Sequence, residues 1–108
     1  MIWGSQYDAM LNWIKSGTDK YKITNTSLGN HSGNITTTGN DTYSNDSINN
    51  IRDLGGNLYE WTLEAYDTDN RVFRGGYFNY TSSPSYRINN YPLNTYSGNG
   101  SRFTLYIK

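Results

Sequence analysis

Tyrosine and asparagine carry most of the chemistry this sequence offers, and they are concentrated near its end. Between residues 77 and 100, 16 of 24 positions are Tyr, Asn, Ser or Thr. Tyr77, Tyr80, Tyr86, Tyr91 and Tyr96 are interleaved there with Asn79, Asn89, Asn90, Asn94 and Asn99. Tyrosine gives large, rigid, amphipathic contact area at low entropic cost, and Asn, Ser and Gly give adaptable hydrogen bonds. That mixture suits recognition rather than catalysis. Tyrosine rings can also stack on sugar faces. We expect Tyr77, Asn79, Tyr80, Asn89, Asn90, Tyr91, Asn94 and Tyr96 to share one exposed face and bind a protein or carbohydrate ligand. Tyr91 and Tyr96 test this, since alanine there should weaken binding and spare the fold.

Other chemistries are poorly supplied. The chain has no cysteine, so disulfides, thiolate metal sites and thiol catalysis are excluded. His31 is the only histidine and reads as a solvated loop residue. No nucleophile, base and orienting acid assemble a recognisable triad, and no carboxylate pair stands in an apolar setting. We therefore expect no enzymatic activity. The 9 basic and 9 acidic residues cancel, which argues against nucleic acid or an anionic membrane as partner. No apolar run approaches the roughly 20 residues of a membrane helix, and no signal peptide is visible. Asn-x-Ser/Thr triplets begin at Asn25, Asn30, Asn34, Asn40, Asn45, Asn79 and Asn99. Composition explains them better than glycosylation does.

The elements that must position these residues are few. A length of 108 residues suits one domain spanning the whole chain. Its opening Met1-Ile2-Trp3-Gly4 is abrupt, as in one domain of a longer protein. Residues 5–16 predict a helix. Ser5 is the expected cap, Asp8 follows three residues later, and Tyr7, Met10, Leu11 and Ile14 form one apolar stripe. Residues 56–76, GNLYEWTLEAYDTDNRVFRGG, predict strand, loop and strand. Tyr59, Trp61, Leu63 and Ala65 alternate with Leu58, Glu60, Thr62 and Glu64, the period of a half-buried strand. Trp61 and Phe73 are the expected core anchors. Residues 18–50 are a long Asn/Thr/Ser/Gly-rich stretch, with short strands expected near 22–24 and 35–37. Ile48, Ile51 and Leu54 should cover one side of the core, and residues 102–108 alternate as a last strand. The fold class is α+β, with a small, twisted, mostly antiparallel sheet, one or two helices and long irregular loops.

The run Gly56-Asn57-Leu58-Tyr59-Glu60-Trp61, then Arg71-Val72-Phe73-Arg74-Gly75-Gly76 and Gly100-Ser101-Arg102, resembles the C-terminal core of the formylglycine-generating-enzyme-like (sulfatase-modifying factor) family. Tyr59 stands where that family has a first tryptophan. Arg87 looks like its buried arginine. The resemblance implies a C-type-lectin-like fold. It does not carry over the sulfatase-oxidising activity, which depends on cysteines. The chain also resembles variable proteins of diversity-generating retroelements in phages and gut bacteria. In these, adenine-directed changes at Asn codons vary a C-terminal segment on a fixed frame. Residues 77–100 would be that variable region, displayed on a phage virion or bacterial cell surface, and the resemblance leaves an oligomer open. The alternative is a structural or decoration domain without a specific ligand. The family resemblance also implies a calcium site. Its ligands would be the Asp53 side chain, the carbonyls of Gly56 and Leu58, and Glu60, an oxygen-only set suited to a hard cation. In the competing reading Asp53 caps its turn and Glu60 pairs with Arg71 or Arg74.

Overall fold

The computed structural model describes residues 1–39 and 47–103. One helix, α1 (Gly4–Lys15), precedes six short strands: β1 (Ser47–Ile48), β2 (Ile51–Arg52), β3 (Tyr59–Ala65), β4 (Arg71–Arg74), β5 (Arg87–Asn90) and β6 (Asn99–Ser101). The architecture is α+β, as expected.

Helix α1 buries the predicted stripe, with Tyr7, Leu11 and Ile14 inside and Met10 at its edge. Its start differs from expectation. Trp3 is the N-cap, and the Gln6 side chain accepts the Trp3 backbone N–H at 2.8 Å. Glutamine three residues after the cap supplies the return bond of a capping box, so Ser5 lies inside the helix and not at its cap. The stripe packs with Ile2, Ile23, Leu28, Ile48 and Leu54 into one apolar core, with Ile51 against it.

Residues 20–24 form a 3₁₀ turn and not the expected strand, and no strand forms at 35–37. Strands β1 and β2 make a hairpin whose two turn residues, Asn49 and Asn50, have φ of 49° and 64°. Asparagine tolerates this left-handed backbone better than other non-glycine residues, which is the requirement of a tight two-residue hairpin.

The main sheet has the order β5-β4-β3-β6. Strands β5, β4 and β3 are antiparallel, while β6 runs parallel to β3 and pairs Tyr59 with Asn99 and Trp61 with Ser101. The last described strand is therefore Asn99–Ser101. Most of the strand expected at 102–108 lies outside the described residues.

The two faces of β3 are used in the opposite sense to expectation. Glu60 and Thr62 are buried, whereas Trp61 is half-buried and Leu63 exposed. On β4, Val72 and Arg74 share the side of Glu60 and Thr62 and face α1. The Arg74 guanidinium lies over the Tyr7 ring at 4.7 Å and bonds Asp8 at 2.7 Å. Trp61 and Phe73 thus anchor the far side of the sheet and not the core under the helix. Alternation separates two faces of a strand but does not say which one a helix will cover.

Candidate functional site

The far side of the sheet is an aromatic layer. Tyr59 on β3 is at its centre, stacked with Phe73 at 5.3 Å and with Tyr77 at 4.7 Å between ring centroids. Trp61 meets Phe73 edge-on, and Tyr96 meets Tyr77 edge-on at 5.7 Å. Tyr86 lies 6.4 Å from Tyr59 and carries Tyr80 beyond it at 6.3 Å. These spacings fall in the range where offset and edge-to-face ring pairs attract.

The chain reaches this face through a glycine pair. Gly75 and Gly76 have φ of 82° and 78°. A Cβ on Gly75 would meet the Leu54 carbonyl oxygen at 2.7 Å, so the turn at the end of β4 admits no side chain there. The Gly75 N–H donates to the Tyr86 carbonyl, and the Tyr7 hydroxyl lies 3.1 Å from both the Leu54 and the Pro84 carbonyls. The helix, the loop before β3 and the Tyr/Asn segment are tied at this one hydroxyl. Burial pushes the Tyr7 phenol well above its ordinary pKa, so it remains a donor.

A groove of about 310 Å³ opens in the aromatic layer. Tyr77, Asn89, Asn90 and Tyr96, all expected at a ligand site, line it together with Tyr59, Phe73, Ile88 and Asn99. A second hollow of about 360 Å³ adjoins it, sharing Tyr96 and Asn99 and adding Asn94, Trp61 and Pro92. Asn79, Tyr80 and Tyr91 are exposed and line neither hollow. Asn90 braces the rim, because its Oδ1 accepts the Tyr91 N–H and the Asn94 side-chain amide at 2.8 and 2.9 Å. Tyr59, Phe73, Ile88 and Asn99 were missed as groove residues. The available signal was alternation on β3 and β4, which puts Tyr59, Trp61 and Phe73 on one face.

The Tyr59 and Tyr77 phenols of the groove are held above their ordinary pKa. Burial, reinforced by neighbouring tyrosines, pushes Tyr59 up to about 12. Its hydrogen bond with Tyr96 raises Tyr77 as well.

The residues of the expected calcium site lie elsewhere. Asp53, Leu58 and Glu60 border a polar cavity of about 250 Å³, with Gly56 absent from its lining. Arg102 occupies the cation's position. Its Nε donates to Glu60 Oε2 at 3.0 Å and its Nη2 to Glu60 Oε1. Nη2 also donates to the carbonyls of Arg52 and Asp53 at 2.9 and 3.3 Å. The Asp53 carboxylate accepts the Gly39 N–H at 3.0 Å. In this arrangement the donors do not fit a calcium ion, because Arg102 would first have to leave both Glu60 oxygens. The partner of Glu60 is thus Arg102, and neither Arg71 nor Arg74. Burial raises the Glu60 carboxyl above its ordinary pKa against the pull of Arg102. Burial also opposes the charge on Arg102, but Glu60 outweighs it and its pKa is raised. The two directions differ in sense: at Glu60 burial outweighs Arg102, and at Arg102 the bond to Glu60 outweighs burial, as in a pair whose desolvation is large.

Arg87, expected as the buried arginine, is instead 41% exposed in its side chain and pairs with Glu64. Arg74 is buried in its place. His31 is half-buried, with Nε2 at 2.9 Å from the Leu28 carbonyl.

Comparison of the chain with protein-family models, curated proteins and solved structures finds no match.

Proposed function

We propose that this domain is a non-enzymatic recognition module whose ligand seat is the aromatic face of the sheet, centred on Tyr77, Asn89, Asn90 and Tyr96. The observation that carries this reading is the groove formed where residues 77–99 fold back over Tyr59 and Phe73. Its walls are rings and carboxamides, the same mixture that serves adaptable binding surfaces. None of its lining residues is a carboxylate, histidine or lysine able to act as a general base at neutral pH.

The kinship with C-type-lectin-like domains of the formylglycine-generating-enzyme-like family, and with retroelement-diversified proteins of phages and gut bacteria, belongs to this proposal. It is supported by the motif residues Gly56-Asn57, Glu60-Trp61 and Arg74-Gly75-Gly76. The segment they frame is held at both ends and again at Ser82 and Pro84, with exposed residues between. Gly75-Gly76 starts it and Arg102 closes it, while Asn79, Tyr80, Tyr91, Asn94 and Tyr96 are exposed. A frame of that kind tolerates variation between fixed ends. Display on a virion or cell surface follows from the same kinship.

A library randomised at Asn79, Tyr80, Tyr91, Asn94 and Tyr96 tests the frame. Most members should keep the parent's melting temperature and proteolysis resistance. General unfolding of the library would make these residues structural and favour a decoration domain. A reverse transcriptase gene beside this one, with a near-copy of the segment differing at adenines, is the expected sign of diversification.

A further inference from the structure

We propose that Tyr77 and Tyr96 form a site of covalent modification, where a one-electron oxidant, a haem peroxidase with hydrogen peroxide, joins the two rings as an intramolecular dityrosine. The site is independent of whether the aromatic face binds a ligand. The two rings meet edge-on, with centroids 5.7 Å apart and planes at 72°. A carbon–carbon bond between phenols forms at the ring edges, at carbons ortho to the oxygens, so an edge contact is the arrangement it needs. Tyr59 is nearer to Tyr77, at 4.7 Å, but those rings are stacked at 29° and meet through their faces. The Tyr96 hydroxyl is also a hydrogen-bond partner of Tyr77. Phenols joined in this way hold their ortho carbons close together, and in the product the same two hydroxyls flank the new bond.

The backbone holds both residues at this meeting. Beside Tyr77, the Phe78 N–H donates to the Asn57 carbonyl at 2.9 Å, and the Asn99 N–H closes a turn on the Tyr96 carbonyl at 3.1 Å. Gly98 lies inside that turn. A Cβ there would stand 2.6 Å from Tyr96 Cε1 and 2.9 Å from Tyr77 Cδ2, too close for either ring to stay. Cε1 is one of the carbons ortho to the Tyr96 hydroxyl. The missing side chain of Gly98 is therefore what lets the two rings close over the turn. Tyr96 is 49% exposed, so an oxidant reaches it. Tyr21, Tyr66 and Tyr91 are exposed too, but none touches another tyrosine ring among the described residues. Their radicals would couple between molecules.

Electrons and atoms balance in the step. Each phenol gives up one electron and its hydroxyl proton, leaving two phenoxyl radicals. These couple at one ortho carbon of each ring, and the hydrogen on each of those carbons then moves to the oxygen through water. The pair has lost two electrons and two protons, which reduce one hydrogen peroxide to two waters. The resulting tie closes residues 77–96 into a covalent loop and restricts the unfolded chain.

The test treats the dilute, folded full chain with a haem peroxidase and one equivalent of hydrogen peroxide. Monomer recovered by gel filtration should have lost two hydrogens by intact mass and should show dityrosine fluorescence. Its digest should contain two peptides joined at Tyr77 and Tyr96, and it should melt at a higher temperature than the untreated chain. Tyr77→Phe and Tyr96→Phe keep the rings and should each abolish that product, while Tyr21→Phe should leave it unchanged. The same treatment of the urea-unfolded chain should yield it only as a minor species. Cross-links formed only between molecules, a monomer joined at another tyrosine pair, or no cross-link after the peroxide is consumed would overturn the proposal. An equal yield of the Tyr77–Tyr96 product from the unfolded chain would overturn it as well, since the fold would then play no part in the pairing.

Discussion

Two stretches of this chain are built from the same residue types and do opposite work. The early one, residues 18–50, turns its key asparagine inward. Asn30 is 1% exposed, and so is Asn57, its partner at the start of β3. The Asn30 side-chain amide donates to the Asn34 carbonyl at 2.7 Å and to Asn57 Oδ1 at 3.1 Å. Asn57 in turn donates to the Thr36 carbonyl and accepts the Thr36 N–H, both at 3.0 Å. These carboxamides do the job of backbone, bracing residues 31–39, which form no strand. The late stretch turns its asparagines outward or toward a groove. Asn79 and Asn94 are exposed, and Asn89, Asn90 and Asn99 edge the aromatic layer. The lesson is that composition alone does not mark a binding surface. What separates the late stretch is asparagine lying at the surface or along a groove, even where Asn90 and Asn94 bond each other, beside rings stacked on the far face of the sheet.

This contrast can be broken at several points. The largest effect is expected at the closure of the late stretch. Arg102→Ala leaves Glu60 buried without its partner and should destabilise the domain by about 3–5 kcal/mol in denaturant titration. The deficit should shrink in acid. Arg102 is what lowers the Glu60 pKa against burial. Without it the variant's carboxyl rises further, so its contribution favours folding in acid and is lost as pH rises through the variant's folded value. An equal deficit at pH 4 and pH 7 would remove Glu60 as the cause.

Asn57→Ala comes next. Its φ of 57° suits asparagine far better than alanine, and its carboxamide satisfies buried groups. A loss of about 3 kcal/mol is expected, read by the same titration. A loss below about 1 kcal/mol would erase the difference between the two stretches.

Alkali should loosen the aromatic face with a definite sign. Tyr59 has a folded pKa of about 12 against about 10 in an unfolded chain. Its contribution is intact below pH 10 and fades as pH rises toward 12. The melting temperature should fall over that window, and Tyr59→Phe should flatten part of the fall. Buried Tyr7 acts in the same direction.

The exposed members of the late stretch should be nearly silent for stability. Tyr80→Ala, Tyr91→Ala and Asn94→Ala should each change it by less than about 0.5 kcal/mol. A large loss at any of them would place it in the frame. Smallest of all is the expected response to calcium. With Arg102 seated on Glu60, millimolar calcium should leave the melting temperature where a chelator leaves it. A clear rise would mean that the ion displaces the guanidinium.

Much of this was legible in the residues themselves. The helix stripe, the strand of Tyr59 and Trp61, the return strand of Phe73 and the concentration of Tyr and Asn after Gly76 are local patterns with fixed periods. Only the family resemblance put Asp53 and Glu60 together, and both border the cavity that Arg102 enters. The cationic partner of Glu60 was not legible, because Arg102 is 42 residues from Glu60 in the chain and reaches it only through the parallel pairing of β6 with β3. The Asn49-Asn50 hairpin was missed because tight turns built without glycine leave a weak signal.

The sequence by itself therefore determined the period of each element and the chemical character of the segment that follows β4. Both depend on neighbours a few residues apart. Only the tertiary structure decided which face of β3 the helix covers, and hence that Trp61 and the buried Phe73 pack in the aromatic layer on the far side rather than in the cluster under the helix. It alone decided which asparagines are consumed as braces and which remain available. The reason is the same in each case. Burial and hydrogen-bond satisfaction are set by segments far apart in the chain meeting in space, and local pattern carries no record of that meeting.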